Sequence, residues 1–429
     1  MPQPLKVFEH EFLEIGTGDF QERHWKALGA FNQKNGDKFL TLYPDGVKFK
    51  QYVGVIQAGN LTIEVLPKAD KPGNHKKQEE KERIKWHRAL LQMLRECQLL
   101  KVEHPDLAQL QLQHHSTLEI YLSLFLEELQ RLMHEGLIKK YRKEDGNQSA
   151  LKGQLLFSKQ LSRNLVHKER FYVRHTVYDK DHLVHQVLFQ ALKLVKRLSG
   201  SPLVKGRADR LLLDFPDVKE IKVTADTFSQ VGVDQKTARY RQSLLIARML
   251  LLNYQPDIAG GNDHVLALLF DMNRLWEEYV YRQLVRLHPS WDISRQDEIG
   301  FWQPAGGSIK SLRPDIVINS HSQGRVVIDT KWKIIEDSCP ADSDLQQMFA
   351  YAHYNDARLL ILVYPSDRKE CSRGTYVKKQ WINGLESHVS CILLKVPLRW
   401  DGEKLDGLDL PPGFFSEEEF VPYVQLQLS

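Results

Sequence analysis

The stretch RPDIVINSHSQGRVVIDTKWK, residues 313–333, reads as two apolar strands around a polar turn. Arms at 312–318 and 325–333 flank NSHSQG, and Asn, Ser and Gly favour turns. A hairpin symmetric about Ser322 sets Asp315 opposite Asp329, with Cβ atoms about 4.5–5.5 Å apart. Lys331, two residues on, shares that face, while Ile316, Ile318 and Ile328 take the other. Two facing carboxylates raise each other's pKa. A divalent cation removes the conflict, and Mg²⁺ accepts one or two carboxylates with water and phosphate oxygens completing its shell. Such an ion polarises a phosphate and lowers the pKa of a bound water. Lys331 is then placed to orient that water or to stabilise charge developing on the phosphate. This is chemistry suited to phosphodiester hydrolysis. Asp-x-Lys by itself carries no weight, since Asp217-Val-Lys219, Asp234-Gln-Lys236 and Asp367-Arg-Lys369 also occur. A cross-strand ion pair on a solvated face is the plain alternative.

Helical patterns flank the hairpin. HVLALLFDMNRLWEEYVYRQL (264–284) reads as part of a helix over 264–286. At 100° per residue Asp271, Arg274, Glu278 and Arg282 form a polar side, and Leu269, Trp276 and Val280 centre the apolar side. Glu277 falls at the border with Leu266, Phe270, Asn273 and Leu284. It is either a core-edge carboxylate bonded to a backbone amide or an Arg, or a ligand to a metal or a metal-bound water. DSDLQQMFAYAHYN (342–355) reads as a second helix, capped by Asp342 or Ser343. Gln347 and Tyr351 are i,i+4 neighbours. They form a helix edge packed on the sheet, or Gln347 bonds a site water or a DNA phosphate.

Working outward, residues 1–68 are β-rich, with QYVGVIQAGN (51–60) and LTIEVLPK (61–68) suited to a hairpin. Residues 69–83 read as a charged loop leading to a helix around 86–94. Ser116 with Glu119 makes a capping-box pattern, and Gly136 a stop. Ten Lys and Arg residues are scattered over 139–175 and either track a nucleic-acid backbone or form a solvated surface. Helices are expected over 182–198 and 240–253. PDIAGGND (256–263) is rich in breakers and marks a boundary. Beyond it the order is helix, strand, strand, helix, strand. The domains expected are a β-rich 1–80, a mainly helical 81–256, and 262–429 carrying the chemistry.

The 429 residues are 42% hydrophobic, enough for two or three cores. Lys+Arg exceeds Asp+Glu by only 59 to 55, so bulk charge neither announces nor excludes a nucleic-acid partner. Four dispersed cysteines read as free thiols in a reducing compartment. No signal-peptide or membrane-length apolar run occurs, which points to a cytoplasmic protein. No Gly-x-x-x-x-Gly-Lys-[Ser/Thr] occurs, so no P-loop nucleotide site is expected.

Helix-Glu, strand-Asp, Asp-x-Lys, then a helix with Gln-x-x-x-Tyr resembles the PD-(D/E)xK nuclease superfamily. FDMNRLWEEYV (270–280), RPDIVI (313–318), IDTKWK (328–333) and DLQQMFAYAHYN (344–355) resemble the McrC family within it. So do YVGVIQAGNLTIEVLPK (52–68) and the region from Gly136-Leu-Ile-Lys-Lys-Tyr to Leu-Lys-Gly153. The resemblance implies a multidomain α+β, α/β protein. A β-rich and helical adaptor region precedes a restriction-endonuclease-like αβββαβ core at 262–429. It implies catalytic positions at Glu277, Asp315, Asp329 and Lys331, with Gln347 and Tyr351 auxiliary. Mg²⁺ is expected on Asp315, Asp329 and Glu277. It further implies a separate McrB-like AAA+ GTPase that binds the GTP, docks on residues 1–80 and recognises double-stranded DNA carrying modified cytosine. The first 50 and last 30 or so residues carry no matching motif, and Lys152-Gly153 stands where Arg-Gly is more typical. The competing readings are a stand-alone repair nuclease and a non-catalytic GTPase-activating adaptor.

Overall fold

The computed structural model describes residues 4–68, 76–99, 116–231, 235, 237–255, 264–320, 324–333, 335, 339–366, 370–378, 380–382 and 385–397. The chain divides into two compact units. One is Met1–Gln3 with His115–Leu268, the other Pro4–His114 with Leu269–Ser429. The expected boundary at 256–263, the centre of the 319–324 turn and the last 32 residues lie outside the described residues.

The second unit begins with strands β1 (Leu5–Phe8) and β2 (Phe12–Glu14), helix α1 (Glu22–Lys34), then β3 (Leu40–Tyr43), β4 (Gly46–Phe49), β5 (Tyr52–Ala58) and β6 (Leu61–Leu66). β5 and β6 form the expected antiparallel hairpin, with Ala58 opposite Leu61 and Ile56 opposite Ile63. Gly59 has φ +57 at its tip, a conformation that favours glycine. β1 joins β6 in parallel. Val53, Ile56, Ile63 and Val65 are wholly buried, each worth about 1.5–3 kcal/mol relative to exposure. Helix α2 (Lys76–Glu96) packs on β6. It starts earlier than expected and takes in the latter part of the 69–83 segment.

The other unit opens with α3 (Thr117–His134), capped by Ser116, whose Oγ accepts from Glu119 N at 3.3 Å. The Glu119 carboxylate reaches a later loop, accepting from Gly200 N at 2.6 Å and Ser199 Oγ at 2.8 Å. Gly136 follows the helix at φ +87. Then come β7 (Lys140–Gln148), β8 (Gln154–Leu155), α4 (Phe157–Arg163) and β9 (Phe171–Asp179), the strands ordered β7-β9-β8. These strands went unread in the sequence because their faces are mostly solvated and polar. Cross-strand ion pairs hold them, Arg142 to Asp179 at 2.8 Å and Arg174 to Asp145 at 2.7 Å. Helices α5 (Leu183–Leu198), α6 (Pro202–Asp214), α7 (Ala225–Gln230) and α8 (Arg241–Asn253) follow. α5 packs against both α6 and α8. β10 (Tyr254–Gln255) pairs with β11 (Val265–Asp271), which carries the chain into the second unit.

β11 corrects the helix expected over 264–286. VLALLF is an unbroken apolar run without helical period, and it is extended. The helix, α9, is Met272–Leu287, and Asp271 is its cap, accepting from Asn273 N at 3.0 Å. Leu266, Leu269, Phe270 and Asp271 therefore do not share a helical wheel with Glu277.

After α9 come β12 (Asp292–Arg295), β13 (Ile299–Trp302), β14 (Lys310–Leu312), β15 (Ile316–Ser320), β16 (Gly324–Thr330), α10 (Asp342–Asn355), β17 (Ala357–Ser366), β18 (Glu370–Thr375), β19 (Gln380–Ile382), β20 (Leu385–Ser387) and β21 (Ser390–Pro397). Six of these strands form one sheet, ordered β12-β15-β16-β17-β21-β18. β15 and β16 are antiparallel, and β16, β17 and β21 run parallel. α10 covers one face, where Val317, Val327, Met348, Tyr351, Leu360 and Leu362 share a core. α9 also packs against β16. The cap expected from Asp342 or Ser343 is not made; Ala341 occupies that position without a side-chain bond.

Candidate active site

The hairpin register is the expected one, with Ile316 opposite Ile328 and Val317 opposite Val327. The arms are shorter than expected, so Asp315 lies just before β15 and Lys331 just past β16. One further step of the register brings Asp315 beside Asp329. The Asp315 Oδ2 oxygen accepts from Thr330 N at 2.7 Å and Thr330 Oγ1 at 2.8 Å. Ile316, Ile318 and Ile328 are buried, but so are Val317 and Val327. Both faces of this hairpin are covered, so the acidic face is not a solvated one.

Asp329 is 1% exposed. Burial, and then the charge of Asp315, push its carboxyl up to about 7, against the pull of Lys331. Lys331 Nζ makes an ion pair with Asp329 Oδ2 at 2.6 Å, though Oδ2 accepts no hydrogen bond of regular geometry. The same ammonium donates to Gln347 Oε1 at 3.0 Å. Gln347 Nε2 donates to the Tyr351 hydroxyl at 2.7 Å, which donates to Arg313 O at 3.0 Å. Gln347 and Tyr351 thus share a face of α10, and Tyr351 is a core side chain whose polar tip reaches the site. Burial, then the charge of Asp329, raises the Tyr351 pKa, so it stays a neutral donor.

Glu277 on α9 is half-buried. Burial and the charge of Asp315 raise its pKa, and a hydrogen bond from Gln296 Nε2 at 2.7 Å opposes the rise. Its hydrogen-bond partner is therefore a glutamine side chain rather than a backbone amide or an arginine. Gln296 lies between β12 and β13 at φ +57 and donates its backbone N–H to Asp315 O at 3.1 Å. The Arg313 guanidinium donates to Gln296 Oε1. Gln296 and Arg313 escaped the sequence reading because nothing in their spacing signals a bond to a helix residue. Asp344 escaped it too. It is buried in the first turn of α10, takes an ion pair from Lys333 at 2.6 Å, and its charge is felt at Asp329.

All six side chains singled out from the sequence belong to this one region. Among the described residues no three His, Cys, Asp or Glu side chains close on a point as a metal-binding group. Asp315, Asp329 and Glu277 thus do not form a ready three-ligand cage. The pair Asp315 and Asp329 still fits a divalent cation, because a buried carboxylate oxygen short of hydrogen bonds adjoins a second negative charge. Mg²⁺ is content with two carboxylates and water.

The chain belongs to the McrBC 5-methylcytosine restriction system component family, whose model matches residues 47–365. One chain in a refined half-complex from a tetradecameric assembly of Thermococcus gammatolerans McrB AAA+ hexamers with bound McrC shares the fold. The TM-score is 0.68 at 20% identity, covering 92% of this chain and 94% of that one. A chain of the Thermococcus gammatolerans McrBC complex matches at TM-score 0.50 and 22% identity, covering 66% of this chain and 88% of that one. No curated protein matches. Among the described residues no helix is long and apolar enough to cross a membrane.

Proposed function

We propose that this chain is the DNA endonuclease subunit of a modification-dependent restriction system and hydrolyses phosphodiesters under the control of a separate McrB-like AAA+ GTPase. The observation that carries the reading is the meeting of Asp315, Asp329 and Lys331 at the end of one hairpin, with Gln347 on the lysine. The order α9, β12, β15, β16, α10, β17 supports a restriction-endonuclease-like core, the two-stranded β13–β14 being an insertion. Asp315 and Asp329, with Glu277 beside them, would hold Mg²⁺, which when bound polarises the phosphate and acidifies water. Lys331 presents a fixed ammonium at the same point and stabilises charge developing on the phosphate. Gln347 fixes the ammonium, and Tyr351 fixes Gln347. Gln296 holds Glu277 toward Asp315.

The Thermococcus half-complex contains McrB AAA+ hexamers with bound McrC. By analogy this chain works with such a hexamer, which supplies GTP hydrolysis and recognition of modified cytosine in double-stranded DNA. The described part of residues 1–80, the expected docking domain, lies in the compact unit that holds the candidate site from Pro4 onward. A second candidate docking surface lies around α4. No residue of that helix is buried, Phe157 and Leu161 are 72% and 63% exposed, and Leu165 and Val166, which follow it in sequence, are exposed as well. Monomers rarely leave contiguous apolar patches uncovered.

The test is Mg²⁺- and GTP-dependent cleavage of methylated against unmethylated DNA, with and without the partner. Asp329→Ala should abolish cleavage and leave GTPase stimulation intact. Cleavage at the wild-type rate by that variant would reject the site. GTPase stimulation without any cleavage by the wild type would make the chain an adaptor.

A further inference from the structure

Lys331 has left β16, so the ladder alone does not hold it. Lys331 N still donates to Val363 O at 2.9 Å. The next residue supplies a second anchor. Trp332 Nε1 donates to Glu9 Oε1 at 2.6 Å, across 323 residues of chain. Glu9 is 4% exposed and follows β1. It is itself fixed on the adjoining strand end, its N–H donating to Leu66 O at 2.8 Å and its Oε1 accepting from Lys68 N at 2.9 Å. The Trp332 ring lies against Trp276 of α9 at 5.5 Å and Trp86 of α2 at 6.4 Å between centroids. Trp276 directly precedes Glu277. One aromatic cluster therefore touches the residue after Lys331 and the residue before Glu277.

We infer that Glu9 and Trp332 are positioning residues for the nuclease site, pinning the segment that carries Lys331 to the N-terminal sheet. The Glu9 carboxyl is an apt anchor, since its Oε1 accepts from both Trp332 Nε1 and Lys68 N and is thereby held from two sides. Burying it is costly, and burial raises Glu9 to about 7. Trp276 and Trp86 already fill the space around the indole, so packing alone does not require an acid here. What the acid adds is direction: it fixes the indole N–H, and with it the turn at Lys331. The inference rests on the nuclease reading above.

The test uses full-length chain with its GTPase partner, Mg²⁺, GTP and methylated plasmid, comparing wild type, Glu9→Ala, Glu9→Gln, Trp332→Phe and Asp329→Ala. Misplacing a reacting group by about 1 Å costs on the order of 100-fold. Glu9→Ala and Trp332→Phe should therefore lower the maximal cleavage rate roughly 10- to 100-fold. The KM for DNA and the stimulation of partner GTPase should stay unchanged. Glu9→Gln keeps an acceptor oxygen and should recover most of the rate. Wild-type rates in Glu9→Ala and Trp332→Phe, with Asp329→Ala dead, would overturn the positioning role alone. So would parallel loss of cleavage and GTPase stimulation, or a Gln variant as slow as the Ala variant. A fully active Asp329→Ala would instead overturn the nuclease reading.

Discussion

Replacing Asp329 by Asn should destroy cleavage and, in metal-free buffer at pH 8, make the fold more stable. The carboxyl is 1% exposed, and burial with the Asp315 charge raises it from 3.8 to about 7 even with Lys331 alongside. At about 1.4 kcal/mol per pH unit, that interval amounts to about 4 kcal/mol. The folded pKa lies above the unfolded one, so the folded state holds this proton more tightly. The group's contribution is whole below pH 3.8 and is lost as pH rises through about 7. Asn has no proton to lose. The stability difference between D329N and wild type should therefore climb by about 4 kcal/mol between about pH 4 and pH 8. Urea unfolding in EDTA at several pH values reads this as a growing gap in midpoint at constant slope. Added Mg²⁺ should raise the wild-type midpoint at pH 8 through mass action and leave D329N unmoved. A variant less stable than wild type by the same amount at every pH would refute the reasoning, and so would equal Mg²⁺ stabilisation of both.

Two other expectations concern the remaining unit. His185 is fully buried, donates from Nδ1 to Lys180 O at 2.7 Å, and is pushed down to about 3 by burial. Its folded pKa lies below its unfolded one, so the stability of the neutral ring is present above pH 6.5 and is lost as pH falls toward 3. His185→Gln should remove about 3 kcal/mol of the acid dependence between about pH 6.5 and pH 4, checked by urea midpoints across that range; an unchanged slope counts against it. Phe157→Ser with Leu161→Ser changes only exposed side chains and should move stability by no more than about 0.5 kcal/mol each. Stimulation of the partner GTPase should nevertheless fall about tenfold, the loss of about 1.4 kcal/mol of binding; full stimulation would place docking elsewhere.

Much of the candidate site was legible because its parts are local. The 313–333 hairpin encodes its own register: a Gly- and Ser-containing turn with apolar residues matched on either side leaves one pairing that buries both arms. Ser116 announced a cap, and Gln347 and Tyr351 announced a shared helix face. The misread strand β11 shows the limit of periodicity, since a short run that is apolar throughout has no phase. The β7 strand fails for the opposite reason: KYRKEDGNQ is charged or polar nearly throughout and offers no apolar alternation. Gln296, Arg313, Asp344 and Glu9 were hidden because a bond's partner is not written beside it. Glu9 and Trp332 stand 323 residues apart, and only the tertiary fold brings them together.

The unit holding the candidate site is built from both ends of the chain, Pro4–His114 and Leu269–Ser429. Its main sheet places β21, Ser390–Pro397, inside β18 and next to β17. The intervening His115–Leu268 segment belongs to the other unit and separates the two stretches in sequence. Among the described strands of that sheet, the penultimate one in spatial order is the last in sequence, so the sheet closes only after β21 has been made. A chain stopped before Ser390 therefore lacks β21, which pairs with β17 at Leu362, the residue opposite Asp329.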